Sequence, residues 1–103
     1  MAFSVRLTGY SPDGERQLEL EPEWWNAREL MRDPRFVESI RDGYMDFDAE
    51  LTVEQTRALH ERYAERAPTV YSDRSEALAH WLDEAPRGAR CHVRVFEWET
   101  GLG

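Results

Sequence analysis

The chain predicts an α+β fold in two layers: a four-stranded, mostly antiparallel sheet with helices packed on one face, in the order β-β-α-α-β-α-α-β. Three observations lead there. Runs at 2–10, 17–21, 44–51 and 89–100 alternate apolar with polar residues, the period of a half-buried strand. Between them, apolar residues recur at helical spacing. The strands alternate instead of running apolar throughout, which argues against a parallel sheet buried on both faces. With 103 residues the chain is read as one domain, 1–103.

Phe3, Val5 and Leu7 share one face of the first run, and Ser4, Arg6 and Thr8 the other. Ser11-Pro12-Asp13-Gly14 is a turn sequence, because Pro presets φ and Gly tolerates positive φ. Gln17 to Glu21 then alternates again and buries Leu18 and Leu20, so the two runs predict a hairpin. Pro22 suits the first turn of a helix that gathers Trp24, Ala27, Leu30 and Met31 on one side, with Trp25 at its flank or exposed. Asp33-Pro34 restarts the pattern as cap and first residue of a second short helix. Phe36, Val37 and Ile40 form its inner side, and Gly43 ends it.

In the third strand Met45, Phe47, Ala49 and Leu51 face one way, and Asp46, Asp48 and Glu50 the other. Thr52-Val-Glu-Gln55 is a capping box, and the helix after it turns Val53, Thr56, Leu59, Tyr63 and Ala67 inward. Pro68 closes that helix. A further capping sequence, Asp73-Arg-Ser-Glu76 (or Ser72 as the cap), opens a helix burying Ala77, Leu78, Trp81, Leu82 and Ala85. In the last strand Cys91, Val93 and Val95 alternate with His92, Arg94, Phe96 and Trp98. Apolar residues on both faces of its end suit an interior strand. The sheet face away from the helices should therefore carry Arg6, Thr8, Glu19, the three β-strand acids, His92, Arg94, Phe96 and Trp98.

Charge narrows the partners. A net charge of -8 disfavours nonspecific binding to nucleic acid or to an anionic membrane and fits a basic partner or mere solubility. All 13 basic residues are arginine, which excludes a Walker A lysine, a Schiff-base lysine and lysine-dependent nuclease motifs. The lone Cys91 excludes an intrachain disulfide and a multi-cysteine zinc site. No stretch approaches the ~20 apolar residues of a membrane span, and no signal-like segment opens the chain, so a cytoplasmic location is expected.

Candidate chemistry is sparse. Carboxylates at alternate strand positions stand about 6.5–7 Å apart; adjacent ones could lean together, but all three converging on one divalent ion, whose oxygen ligands lie about 2.0–2.6 Å away, is strained. His60 falls within the apolar arc of its helix, His80 on an acidic outer face, and His92 on the sheet face opposite its neighbour Cys91. A Cys91–His92 dyad is thereby disfavoured. There is no Gly-x-Ser-x-Gly elbow, His-Glu-x-x-His or Gly-rich phosphate loop. The reading is a binding protein and not an enzyme, with no catalytic residue, metal or cofactor.

From Asp42 through Thr56 the chain holds five acids and no base. Tyr44, Asp46, Asp48, Glu50, Glu54, Glu61 and Trp98 are the candidate partner-binding residues. Their carboxylates are expected to form one field bordered by aromatic anchors. In size, acidity and α+β layout, and in the stretches SEALAHWLDEAP and FEWETGL, the chain resembles the small immunity proteins of bacterial toxin systems. The resemblance implies a basic protein partner, a toxin domain, whose active site or adjacent exosite the carboxylates occlude. Two alternatives stand beside it: a nucleic-acid-mimicking inhibitor, and an accessory domain that grips a small anion with Arg6, His92 and Arg94. Self-association as a homodimer stays open.

Overall fold

The computed structural model of the chain describes residues 2–43, 46–64 and 72–98, without the side chains of Ala2, Glu97 and Trp98. Its elements are β1 (Ala2–Tyr10), β2 (Arg16–Leu20), α1 (Ala27–Leu30), α2 (Pro34–Val37), β3 (Ile40–Asp42), β4 (Phe47–Thr52), α3 (Val53–Ala64), α4 (Ser72–Glu84) and β5 (Arg90–Trp98). The fold is α+β, with an open five-stranded sheet in the order β2-β1-β5-β4-β3. Every neighbouring pair is antiparallel. No described helix is long and apolar enough to cross a membrane.

The hairpin forms as its turn chemistry requires. Gly14 takes φ +87 and donates its N–H to Ser11 O at 2.9 Å, while Ser11 Oγ accepts from Glu15 N at 3.1 Å. The β1–β2 register sets Leu7 opposite Leu20 and Gly9 opposite Leu18, which puts both leucines on the helix side. The capping box at the start of α3 is complete. Gln55 N donates to Thr52 Oγ1 at 3.1 Å, and Thr52 N donates back to Gln55 Oε1 at 2.9 Å.

Between sheet and helices lies one core. Val5 and Leu7 of β1, Ala49 and Leu51 of β4, and Cys91, Val93 and Val95 of β5 meet Leu59 and Tyr63 of α3, Leu78 and Leu82 of α4, and Phe36 of α2. Each such leucine taken out of water contributes roughly 1.5–3 kcal/mol. The last strand is interior, as its two-sided apolar end suggests: β5 lies between β1 and β4.

Four expectations are corrected. The sheet has five strands, because Ile40 leaves the helix and opens β3, where it pairs with Ala49 and tucks its side chain beside the core. Accordingly α2 ends at Val37, which is 44% exposed, and not at Gly43. The first helix starts at Ala27 with Asn26 as its cap, accepting from Glu29 N, so Pro22 belongs to a turn before it. Trp25 is buried, packed on Tyr63 with ring centroids 5.7 Å apart. The close of α3 at Pro68 lies outside the described residues. So does the cap of α4, since Ser72 is already helical and Asp73 lies in the first turn.

Candidate partner-binding surface

The pleat delivers the expected open face. Because β5 sits between β1 and β4, the side chains opposite the core form rows across three strands: Arg6 faces Arg94, Thr8 faces His92, Asp48 faces Arg94 and Glu50 faces His92. Acids and bases are thus interleaved. Each β4 acid reaches the basic group one step along the diagonal, within the range of neighbouring-strand side chains. Asp46 accepts a hydrogen bond from Arg94 Nη2. His92 Nε2 lies 3.1 Å from Asp48 Oδ1, without the alignment of a hydrogen bond. Glu50 holds Arg90 Nε at 3.1 Å and Arg41 Nη2 at 3.8 Å. The hydrogen bond to Asp46, with the charges of Asp46 and Asp48, holds Arg94 protonated more firmly than an ordinary arginine, against a smaller opposing effect of desolvation.

Toward the other end of β5, Phe96 lies under two guanidinium groups. Arg6 Cζ is 5.2 Å and Arg94 Cζ 5.4 Å from the ring centroid. Arg6 also holds Glu21 at 3.3 Å. The trio Arg6, His92 and Arg94 therefore does share a face, but an acid of the same chain answers each member. A cleft of about 440 Å³ opens at the opposite end of this face, lined by Tyr10, Arg41, Arg90 and His92. Glu50 occupies both of its arginines.

The expectation of one continuous acidic field is corrected on two grounds. Asp46 and Glu50 are matched by Arg94 and Arg90 of β5, and the charge of Asp48 also acts on Arg94, so the potential alternates in sign over single side-chain spacings. Glu54 and Glu61 are exposed on the side of α3 turned from the core, and α3 packs on the sheet face opposite Asp46, Asp48 and Glu50. A helix about 10 Å thick stands between the two groups, about one Debye length at physiological salt. Tyr44 lies outside the described residues. Trp98 ends β5, with its side chain outside them.

The helix side carries what the sheet side lacks. Glu54 and Glu61 stand seven residues apart on α3, and Glu76 and Asp83 seven apart on α4, so each pair lines one face two turns in length. The first turn of α3 lies beside the last turn of α4, where Arg57 Nη2 donates to Leu82 O at 3.0 Å. Glu54, Glu61, Asp73, Glu76 and Asp83 are all exposed and have no ion-pair partner among the described residues. The basic groups of the same helices are directed elsewhere: Arg62 to Asp33, Arg74 to Glu23, His80 to Glu84. The sequence places His80 on an acidic outer face of α4, and Glu76 and Asp83 of that helix are not among the candidate residues. Their seven-residue spacing was the available signal.

His60 and Cys91 are packed groups of the interior. His60 is buried edge-on against Trp24, centroids 6.3 Å apart, and burial lowers its pKa against a smaller opposing effect of Glu61. Burial pushes the Cys91 thiol up to about 11, although a hydrogen bond with Thr56 works the other way. No protein-family model, curated protein or solved structure matches this chain.

Proposed function

We propose that the chain is a protein-binding inhibitor of a basic partner, acting as the immunity protein of a bacterial toxin in the cytoplasm, with the outer face of α3 and α4 as its contact surface. The observation that carries this is the unmatched charge of that face. Four exposed carboxylates, Glu54, Glu61, Glu76 and Asp83, stand there without ion-pair partners among the described residues. Charge of one sign over an area of this kind raises the encounter rate with a target of opposite sign and orients it. The acids of β4 are poorer candidates, because a partner must first break their links to Arg94, His92 and Arg90.

The anchoring contacts belong to whatever apolar groups border the acids, since charge alone governs approach more than residence. The test is to co-express the chain with the product of the neighbouring reading frame and measure complex formation across a salt series. Recovery of a complex that inhibits a toxin, weakens with salt and is lost in Glu54→Arg/Glu61→Arg supports the reading. A complex indifferent to salt and to both substitutions removes it.

A further inference from the structure

We propose that the outer edge of β2, with the groove between it and α4, takes up an extended, arginine- or lysine-bearing segment of a partner protein as an added strand. The inference rests on the reading of the chain as a binder of basic partners, but it assigns a different surface from the outer helix face.

β2 is one margin of the sheet. Its main chain pairs with β1, and among the described residues no main-chain hydrogen bond leaves its other side. Edge strands in natural sheets are commonly blunted by shortness, bulges, proline or a covering element. The opposite margin obeys that rule, because β3 has three residues and a register shift. β2 obeys it poorly. Its only irregularity lies at its start, opposite Gly9 and Tyr10, and Leu18 to Leu20 keep regular register. Pro22 comes after the strand has ended.

A built groove accompanies this edge. Two depressions of about 460 and 390 Å³ share Leu18 and Ala77, and together they follow α4 from Asp73 to Glu84 and reach Pro86 just beyond it. Leu18, Leu20, Ala77 and Trp81 give the groove an apolar floor. A strand laid against β2 would drop every second side chain onto that floor, since strand side chains alternate between faces.

Charge selects the occupant. Glu23, Asp73 and Glu84 border the groove with Arg74, while Glu19 and Glu21 project from the same edge toward the open sheet face, a formal balance of -4 along the edge with His80 neutral, or -2 with Arg6 and Arg16 counted. The arginines that reach in from the same chain do so through exposed pairs, Arg16 to Glu19 at 2.9 Å and Arg6 to Glu21 at 3.3 Å. Both acids are more exposed than Asp46 or Asp48 of the open face, and pairs so exposed are weak and exchangeable. A second copy of the chain would bring a like-charged rim against this one, so an apolar strand punctuated by cations fits better. Main-chain bonds supply the affinity of such strand addition and side-chain pockets its specificity.

The probe is a blocked, labelled peptide of about nine alternating Val and Arg residues, long enough for a typical strand. Its controls are the Val/Glu analogue and a version N-methylated along one edge. Fluorescence anisotropy reads affinity, and amide exchange by NMR reads protection of Gln17 to Leu20. The Val/Arg peptide is expected to bind and to slow exchange at alternate β2 amides about tenfold, as strand pairing requires. Ala77→Arg, at an exposed helical position, should fold normally and weaken binding by about tenfold or more, through both a filled groove and a changed sign. Glu54→Arg/Glu61→Arg should leave peptide affinity within about twofold, because those acids lie on another face.

Several results would overturn the proposal: no binding, binding without β2 protection, or equal binding of the Val/Glu or N-methylated peptide. Loss through the α3 substitutions would do the same and return the binding to the helix face. Concentration-dependent β2 protection without peptide would assign the edge to a second copy instead. Failure of the helix-face reading leaves the peptide result standing, and the peptide result leaves toxin inhibition to its own assay.

Discussion

Asp33 Oδ2 lies 3.5 Å from Arg62 Nη1, and this ion pair ties the start of α2 to the last turn of α3. The carboxylate is almost entirely enclosed, with a side-chain exposure of 2%, and its other oxygen accepts the Arg35 N–H at 3.0 Å. Arg35 Nη1 adds a second, more distant cation at 4.0 Å. One acid thus caps a helix and joins two elements far apart in the chain. Asp33→Ala should cost about 2 kcal/mol, combining a lost cap with a lost tether. Arg62→Ala should cost about 1 kcal/mol or less, because half of that arginine is in water and Arg35 remains. Urea unfolding with unchanged m-value checks the ranking.

Gly9 is the other place where one small residue decides the packing. A methyl group built on it would meet two atoms of the Trp81 ring at 2.8 Å. The indole therefore lies directly against the β1 backbone, held by its N–H donating to Gln17 Oε1 at 3.1 Å. Gly9→Ala should destabilise the fold by about 1–3 kcal/mol, as overpacking does, and should shift the emission of Trp81 as the ring is displaced. Comparing emission with and without Trp81→Phe isolates that signal.

These two contacts mark where sequence reasoning ends. The alternation of β1, β4 and β5 named both faces of the sheet, because a period of two leaves no freedom once the core side is known. Thr52 and Gln55 declared the start of α3 through a reciprocal hydrogen bond that is local in sequence. Ile40 was misread because it follows Phe36 and Val37 at helical spacing. Only pairing with Ala49, across the next turn, makes it part of a strand. Trp25 looked like a flank because its partner, Tyr63, lies 38 residues away along the chain. The charge pattern failed for the same reason. Asp46, Asp48 and Glu50 are neighbours of each other in sequence, yet their nearest charges in space are on β5.

Cys91 should report global unfolding. Burial on β5 raises its pKa to about 11, so at pH 8 only about one thiol in a thousand is ionised. Alkylation by iodoacetamide is expected to be negligible in the native state and to accelerate with urea in step with loss of near-ultraviolet dichroism. Rapid labelling of the folded chain at pH 7–8 would contradict this burial.

His60 sets a direction for acid sensitivity. Burial beside Trp24 lowers its folded pKa below the ordinary 6.5, so the unfolded chain binds the proton more readily. Its contribution is complete above about pH 6.5 and declines as pH falls through and below that value, with a slope of at most about 1.4 kcal/mol per pH unit. His60→Leu should flatten the stability profile across that window. A profile with the same slope in both proteins would assign the acid sensitivity to the carboxylates instead.

Charge substitutions on the two sides of the molecule separate the possible contact surfaces. Asp48→Asn keeps the shape of the side chain while leaving His92, Arg94 and Arg90 with one acid fewer, so it turns the open sheet face more positive. Glu54→Arg/Glu61→Arg changes the helix face by four units of charge and touches no ion pair among the described residues. Surface exchanges of that sort change stability by about 0.5 kcal/mol or less, so effects on binding can be read directly. Against a basic partner the α3 double variant should lower the association rate by about tenfold or more at low salt, with the difference shrinking as salt is added. Asp48→Asn should alter the same rate by less than about twofold, since the β4 acid is already matched across the strand. The reverse order of effects, measured by stopped-flow mixing, would move the contact to the sheet, where breaking the Asp46–Arg94 link becomes part of binding.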